Sequence, residues 1–449
     1  MSSPVEINTN KRRLEELLSA PHYALRCLST GASFSDDVDP ASGNLPLLNP
    51  DAPTPAFLRA EYTSRRLELL REEFGLYRYA SWLPVRRSLP GSSSPVTYKS
   101  SALAEALGLQ ELYITFSGYW PEKGCRMISG TFKECEAYSV AGRLGGDFRS
   151  RLVIASAGNT ARAFYNVCCE HGIPLVIVIP QENLDKLWSS VEKNECVTVI
   201  AAGDGADYSD AIALAGIVTE LPEYVPEGGA KNVARRDGMG TTMLSATARI
   251  GRIPDHYVQA VGSGTGAIAA WEANRRLIAD GRFGNHLAKL HLSQNAPFTL
   301  LTDSWNRGTR ELVKIDEADA KNRIRAIGAA VLANRKPPYS PVGGLFDALT
   351  DCGGEMYSIT NNAAAAAAAL FEECEGIDLA PAAAVATASL VEAAESGKIR
   401  SEDTVMLNVT GGGLRRISEE LAPTPVEPDL VLFRDEWNRQ RVAELLTKK

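Results

Sequence analysis

Four short segments of this chain set chemically active side chains beside glycines and other small residues. In Ser129-Gly-Thr-Phe-Lys-Glu134 a lysine stands at a predicted helix start, where the helix dipole opposes its charge. On a surface such a lysine is a solvated cation; desolvated in an apolar cleft, it is the residue type that condenses with carbonyl carbons. Val261-Gly-Ser-Gly-Thr-Gly266 joins a predicted strand to a predicted helix. Its glycines admit close backbone approach, and the helix start offers unpaired amides, which together make a cup for a phosphate. With Ala267 the segment also fits the dinucleotide fingerprint G-x-G-x-x-A, but the next strand, ending near Leu292-Ser-Gln294, lacks the acid that holds a ribose. Ser156-Ala-Gly-Asn-Thr160 puts hydroxyls and an amide at another strand end, suited to a carboxylate or a phenolic oxygen and equally to a plain helix cap. Asn408-Val-Thr-Gly-Gly-Gly413 closes a late strand with a hydroxyl and three glycines, so the backbone there either approaches something closely or makes a strained turn.

These segments need a scaffold. The chain has 449 residues, beyond the size at which one core stops growing, so two domains are expected. Short apolar runs at 152–155, 175–179, 196–200, 257–261, 289–292 and 404–409 alternate with helical stretches such as 161–171, 208–219 and 267–279. Continuous apolar strands separated by helices mean parallel βαβ units covered on both faces, an α/β doubly wound fold. In such sheets ligands gather at the carboxyl ends of the strands, where the four segments fall. Upstream, a charged helix is expected near 10–19, a Ser/Asp/Pro-rich stretch over 30–55, a helix around Leu67–Glu73, a further helix at 100–107 and a strand over Glu111–Phe116. The alanine run at 363–369 reads as helix.

The order and spacing of the four segments resemble the fold-type II enzymes that use pyridoxal 5'-phosphate (PLP), the tryptophan synthase β-like group containing threonine and cysteine synthases. That resemblance implies two domains with mostly parallel sheets. It places an N-terminal extension and the first part of the large PLP domain at 1–145, a small substrate-binding domain at 146–225, and the rest of the large domain at 226–449. It further implies that Lys133 carries the cofactor covalently, and that Asn159 meets the ring hydroxyl. Gly262, Ser263, Gly264, Thr265 and Gly266 would hold the phosphate, and Thr410 would face the ring nitrogen. Glu375-Gly-Ile377 with Pro381-Ala-Ala-Ala384 looks like the family's segment before the last strand. Tyr23–Cys27 and Gly75–Val85 look like threonine synthases. Three departures, Thr131-Phe-Lys-Glu-Cys-Glu136, Phe116-Ser-Gly-Tyr-Trp-Pro-Glu-Lys-Gly124 and Thr410-Gly-Gly-Gly413, look like the cysteate synthase branch of methanogenic archaea, which serves coenzyme M biosynthesis.

The branch implies a β-replacement transferase that turns O-phospho-L-serine and sulfite into L-cysteate and phosphate. Lys133 would move the α-proton, and Ser156, Asn159 and Thr160 would hold the substrate carboxylate. A neutral Thr410 hydroxyl would leave the ring nitrogen unprotonated. Both co-substrates are anions, so cations are required; Arg235 and Arg236 are the first candidates and Lys99 and Lys123 weaker ones, each otherwise a surface charge. The rivals are a threonine synthase acting on O-phosphohomoserine, a phosphoserine-dependent cysteine synthase, a NAD-type oxidoreductase built on the Gly262 loop, and a PLP-free sensor.

Net charge is −8, against a general nucleic-acid or membrane-surface binder. No apolar run reaches the roughly 18 residues that span a bilayer, and the N-terminus lacks the apolar core of a secretory signal, so a cytoplasmic protein is expected. The eight cysteines form no CxxC pair and the five histidines no HExxH, so reduced thiols and no metal site are expected. A homo-oligomer is anticipated.

Overall fold

The computed structural model describes residues 4–37 and 45–447; residues 38–44, part of the Ser/Asp/Pro-rich stretch, lie outside the described residues. Eleven strands make two sheets: β1 Val96–Lys99, β2 Glu111–Phe116, β3 Arg151–Ala155, β4 Leu175–Pro180, β5 Val197–Ala202, β6 Tyr224–Pro226, β7 His256–Ala260, β8 Lys289–Asn295, β9 Glu355–Ile359, β10 Thr404–Val409 and β11 Leu430–Leu432. The larger sheet runs β9-β8-β7-β10-β2-β1 and is parallel except for its edge pair β1–β2. The smaller runs β6-β3-β4-β5-β11, parallel throughout. Every residue of β4, β5 and β10 is buried, which is why these strands read as unbroken apolar runs.

The helices that matter to the site are α1 Lys133–Arg143, α2 Asn159–His171, α3 Tyr208–Val218, α4 Val233–Ile250 and α5 Thr265–Asp280. Helix α4 is buried along most of its length and packs against both α1 and α5. An antiparallel three-stranded sheet, made by Tyr23–Cys27, Ser33–Phe34 and Leu58–Tyr62, covers the α4–α5 side of the large domain.

Two expectations are corrected here. Strand β11 pairs Leu430–Leu432 with Ile200–Ala202, so the C-terminal segment belongs with the small sheet and not with the large-domain block assigned to 226–449. Around Leu67–Glu73 there is no α-helix. Leu67 donates its amide to the Asp280 carboxylate at 2.7 Å and Leu70 to the Arg78 carbonyl at 2.9 Å, and a 3₁₀ stretch follows at Glu72–Trp82. Long-range partners took the amides a helix would have used.

Candidate active site

Strands β7 and β10 are neighbours in the large sheet, so the loops leaving their carboxyl ends lie side by side, facing the loop that leaves β3 in the small sheet. Between them opens a cleft of about 780 Å³ lined by Lys133, Ser156, Asn159, Thr160, Arg235, the whole Gly262–Gly266 loop and Thr410. Of the residues singled out in the sequence, all but Arg236 and the weaker candidates Lys99 and Lys123 therefore converge. Arg236 turns away from the cleft. It is fully buried, pairs with Glu272 at 2.9 Å and donates to the Leu58 and Ala230 carbonyls. Adjacent residues on a helix point about 100° apart, so only Arg235 faces the cleft. Lys99 pairs with Glu111 at the sheet edge, and Lys123 sits 4.2 Å from the Tyr98 ring; neither lines the cleft.

The geometry of the glycine loop suits an anion. Gly264, at φ 78°, turns the chain into α5, whose first-turn amides lack helical partners. Ser263 Oγ and Thr265 Oγ1 lie 2.7 Å apart at its rim.

At the β3 end, Ser156 Oγ accepts the amides of Gly158 and Ala161 at 3.0 and 2.9 Å, so this serine caps the loop. Arg162 Nη2 donates to Asn159 Oδ1 at 3.2 Å. Because a guanidinium only donates, the Asn159 amide oxygen is committed and its NH₂ remains for an acceptor such as a phenolic oxygen. Arg162 also binds the Ser129 and Lys186 carbonyls and lies over Trp188; burial pulls its pKa down to about 10.

The three glycines after Thr410 have a local explanation. A Cβ at Gly413, whose φ is 72°, would lie 2.1 Å from the Tyr119 carbonyl oxygen; one at Gly412 would meet Asp378 O, and one at Gly411 would meet Gly130 O. Phe132 N donates to Thr410 O at 3.0 Å. The loop thus runs against the backbone of the lysine segment and of the Phe116–Trp120 turn. This fixes Thr410 relative to Lys133 and leaves the Thr410 hydroxyl on the cleft.

The charges were less legible. Lys133 Nζ lies 3.2 Å from Glu136 Oε2, and Arg235 Nη1 lies 3.1 Å from Glu136 Oε1, to which Thr160 Oγ1 also donates at 2.9 Å. Arg235 is held on its other side by Glu227. Two cations and two carboxylates balance, so local positive potential for anions comes from the starts of α2 and α5 rather than from a free arginine. Burial works against the Arg235 charge, but Glu136 and Glu227 outweigh it and raise its pKa. Tyr208, at the start of α3, lines the same cleft; burial, opposed by Arg235 and reinforced by Glu136 and Glu227, raises its pKa and keeps the phenol protonated. Glu136, Glu227 and Tyr208 were not anticipated. The only signal was the spacing of Glu136, one helical turn beyond the lysine.

A lysine amine, an amide NH₂, a hydroxyl and a glycine-walled helix start in one cleft are the donor set that a phosphorylated pyridine aldehyde requires. Residues 100–411 match the family of pyridoxal-phosphate dependent enzymes. Maize serine racemase superposes with a TM-score of 0.53 at 16% identity, covering 73% of this chain and 92% of that one. Threonine deaminase isoform 2 from Solanum lycopersicum superposes with a TM-score of 0.52 at 19% identity, covering 73% and 88%. Fold and site define a fold-type II PLP-dependent enzyme.

The sequence comparisons are narrower. Cysteate synthase from Methanosarcina acetivorans is 48% identical over 411 residues, 91% of this chain and 96% of that protein. The enzyme of the same name from Methanoculleus marisnigri is 49% identical over 409 residues, 91% and 92%. The chain belongs to the cysteate synthase family.

Proposed function

We propose that this protein replaces the phosphate of O-phospho-L-serine by sulfite, giving L-cysteate and inorganic phosphate and so supplying the sulfonate of coenzyme M. The observation that carries the reading is the identity to cysteate synthases along nine-tenths of the chain, joined to a cleft with the expected donors. When bound, PLP supplies an electron sink for the pair left by a broken Cα–H bond. Lys133 is the residue for covalent attachment, Asn159 NH₂ for the ring hydroxyl, the Gly262–Gly266 cup for the phosphate and Thr410 for the ring nitrogen. Once free of the cofactor, the Lys133 amine is the base that takes the α-proton and returns it, with Glu136 beside it to stabilise the ammonium. The Cβ–O bond breaks with its electron pair on the departing phosphate, and the sulfite lone pair makes the Cβ–S bond. The amides that begin α2 suit the substrate carboxylate, since the Thr160 hydroxyl proton is already given to Glu136.

The test is phosphate release with phosphoserine plus sulfite, with phosphoserine plus sulfide, and with phosphohomoserine alone, the product identified by mass. Cysteate from the first mixture alone is the expected result. Threonine from the third, or cysteine as the dominant product of the second, overturns the reading.

A further inference from the structure

A second cleft lies away from the catalytic one, between the N-terminal three-stranded sheet and the C-terminal half of α5. It is open to solvent along one side. Five arginines line it (Arg26, Arg59, Arg65, Arg275 and Arg276) against two carboxylates, Glu61 and Glu272. In a chain of net charge −8 this concentration of positive charge is local and one-sided.

The carboxylates do not use it up. Glu272 is shared between Arg236 at 2.9 Å and Arg59 at 3.3 Å, and among the described residues Glu61 pairs only with Arg26 at 3.0 Å. Arg275 reaches out of the cleft to Asp351. Arg276 is held by Asp237, yet its Nε and Nη1 are buried and find no acceptor among the described residues. Arg65 is exposed and pairs with no carboxylate among them. Burial pulls the Arg59 pKa down; Glu272 opposes it, and repulsion from Arg275 and Arg276 adds to it. Their planes are fixed by aromatic rings: Arg59 and Arg275 lie 5.1 and 5.6 Å from the Trp271 ring, and Arg276 lies 5.3 Å from that of Tyr62. Buried donors without acceptors cost stability unless something fills them, and a fixed guanidinium fork matches an oxyanion.

We infer that this cleft is a binding site for a phosphate group, either inorganic phosphate or a phosphate monoester, distinct from the catalytic cleft. Three consecutive residues of α4 lie between the two clefts: Arg235 lines the catalytic cleft, Arg236 holds Glu272, and Asp237 holds Arg276 and accepts from Tyr62 OH at 2.6 Å. The inference does not depend on which reaction the catalytic cleft performs.

The rim arginines allow a test without disturbing the core. Inorganic phosphate and glycerol 2-phosphate are titrated calorimetrically into the PLP-loaded wild-type protein, Arg65→Glu, and the double variant Arg26→Glu/Arg65→Glu, with oligomeric state followed by sedimentation. The expected result is, beside the catalytic-cleft binding common to all three proteins, a second binding event in wild type that weakens about fivefold in the single variant and at least twentyfold in the double, and that weakens with added salt. The tighter of the two probes identifies the source of the phosphate. An equal second event in all three proteins, or none in wild type, overturns the site. So does dissociation of an oligomer in the double variant, which would make the cleft a subunit contact.

Discussion

Lys133 Nζ and Glu136 Oε2 stand 3.2 Å apart on one turn of one helix, and Glu136 is fully buried. The carboxylate also takes Arg235 and the Thr160 hydroxyl, so a single side chain ties Lys133 to the loop that leaves β3. Removing it leaves two cations facing each other out of water. Glu136→Ala is expected to cost about 3 kcal/mol in urea unfolding of the cofactor-free protein. Glu136→Gln keeps the shape and the Thr160 bond but moves the cleft from neutral to +1. Phosphate as a competitive inhibitor should then bind several-fold tighter, an effect that fades with salt. Unchanged inhibition would show that this carboxylate does not set the anion affinity.

Attachment at Lys133 has its own check. Wild-type protein reduced with borohydride should carry the cofactor mass on the peptide containing Lys133, and Lys133→Ala should lose both that mass and the visible absorbance. A variant that stays yellow places the attachment elsewhere.

The scaffold was largely legible in the sequence because parallel strands buried on both faces leave unbroken apolar runs; the run at 404–409 is β10 residue for residue. The loops were legible through their order and spacing, since each glycine or hydroxyl alone serves equally as a cap or a turn. What was hidden depends on direction or distance. Arg235 and Arg236 are indistinguishable by type, and only the helical phase of α4 sends one to the cleft and the other to Glu272. Glu136 reads as an ordinary helix-surface acid until the packing of α4 and α2 buries it. Strand β11 joins a partner more than two hundred residues earlier, and its register has no local cue. The triple glycine left a close approach and a strained turn open, and the approach proves to be that of the chain's own backbone.

That backbone contact predicts a contrast between two glycines. Gly376 and Gly413 both have positive φ, 77° and 72°, but a Cβ at Gly376 meets nothing within 4 Å while one at Gly413 collides with the Tyr119 carbonyl. Gly376→Ala should cost about 1 kcal/mol, the left-handed penalty alone. Gly413→Ala adds overpacking, for a total of about 3 kcal/mol. Only the second should also weaken cofactor affinity, by displacing Thr410, as a spectroscopic titration would show. Equal losses would mean that the loop yields freely.

A buried chain at the far end of the large sheet predicts a loss of stability in acid. His291 is fully buried, with His256 Nδ1 at 2.9 Å from its Nε2 and Tyr357 OH at 2.7 Å from its Nδ1. Burial, reinforced by His256, lowers its pKa to about 3. An unfolded histidine titrates near 6.5, so between pH 6.5 and 3 the unfolded chain binds a proton that the folded chain refuses, and stability falls as pH falls through that window. From pH 7.5 to 5.0 this one group withdraws about 2 kcal/mol. His291→Gln, which keeps polar partners for His256 and Tyr357 and has no charge to gain, should lose correspondingly less stability over that interval in urea unfolding. An identical pH slope in the variant would assign the acid sensitivity to other groups.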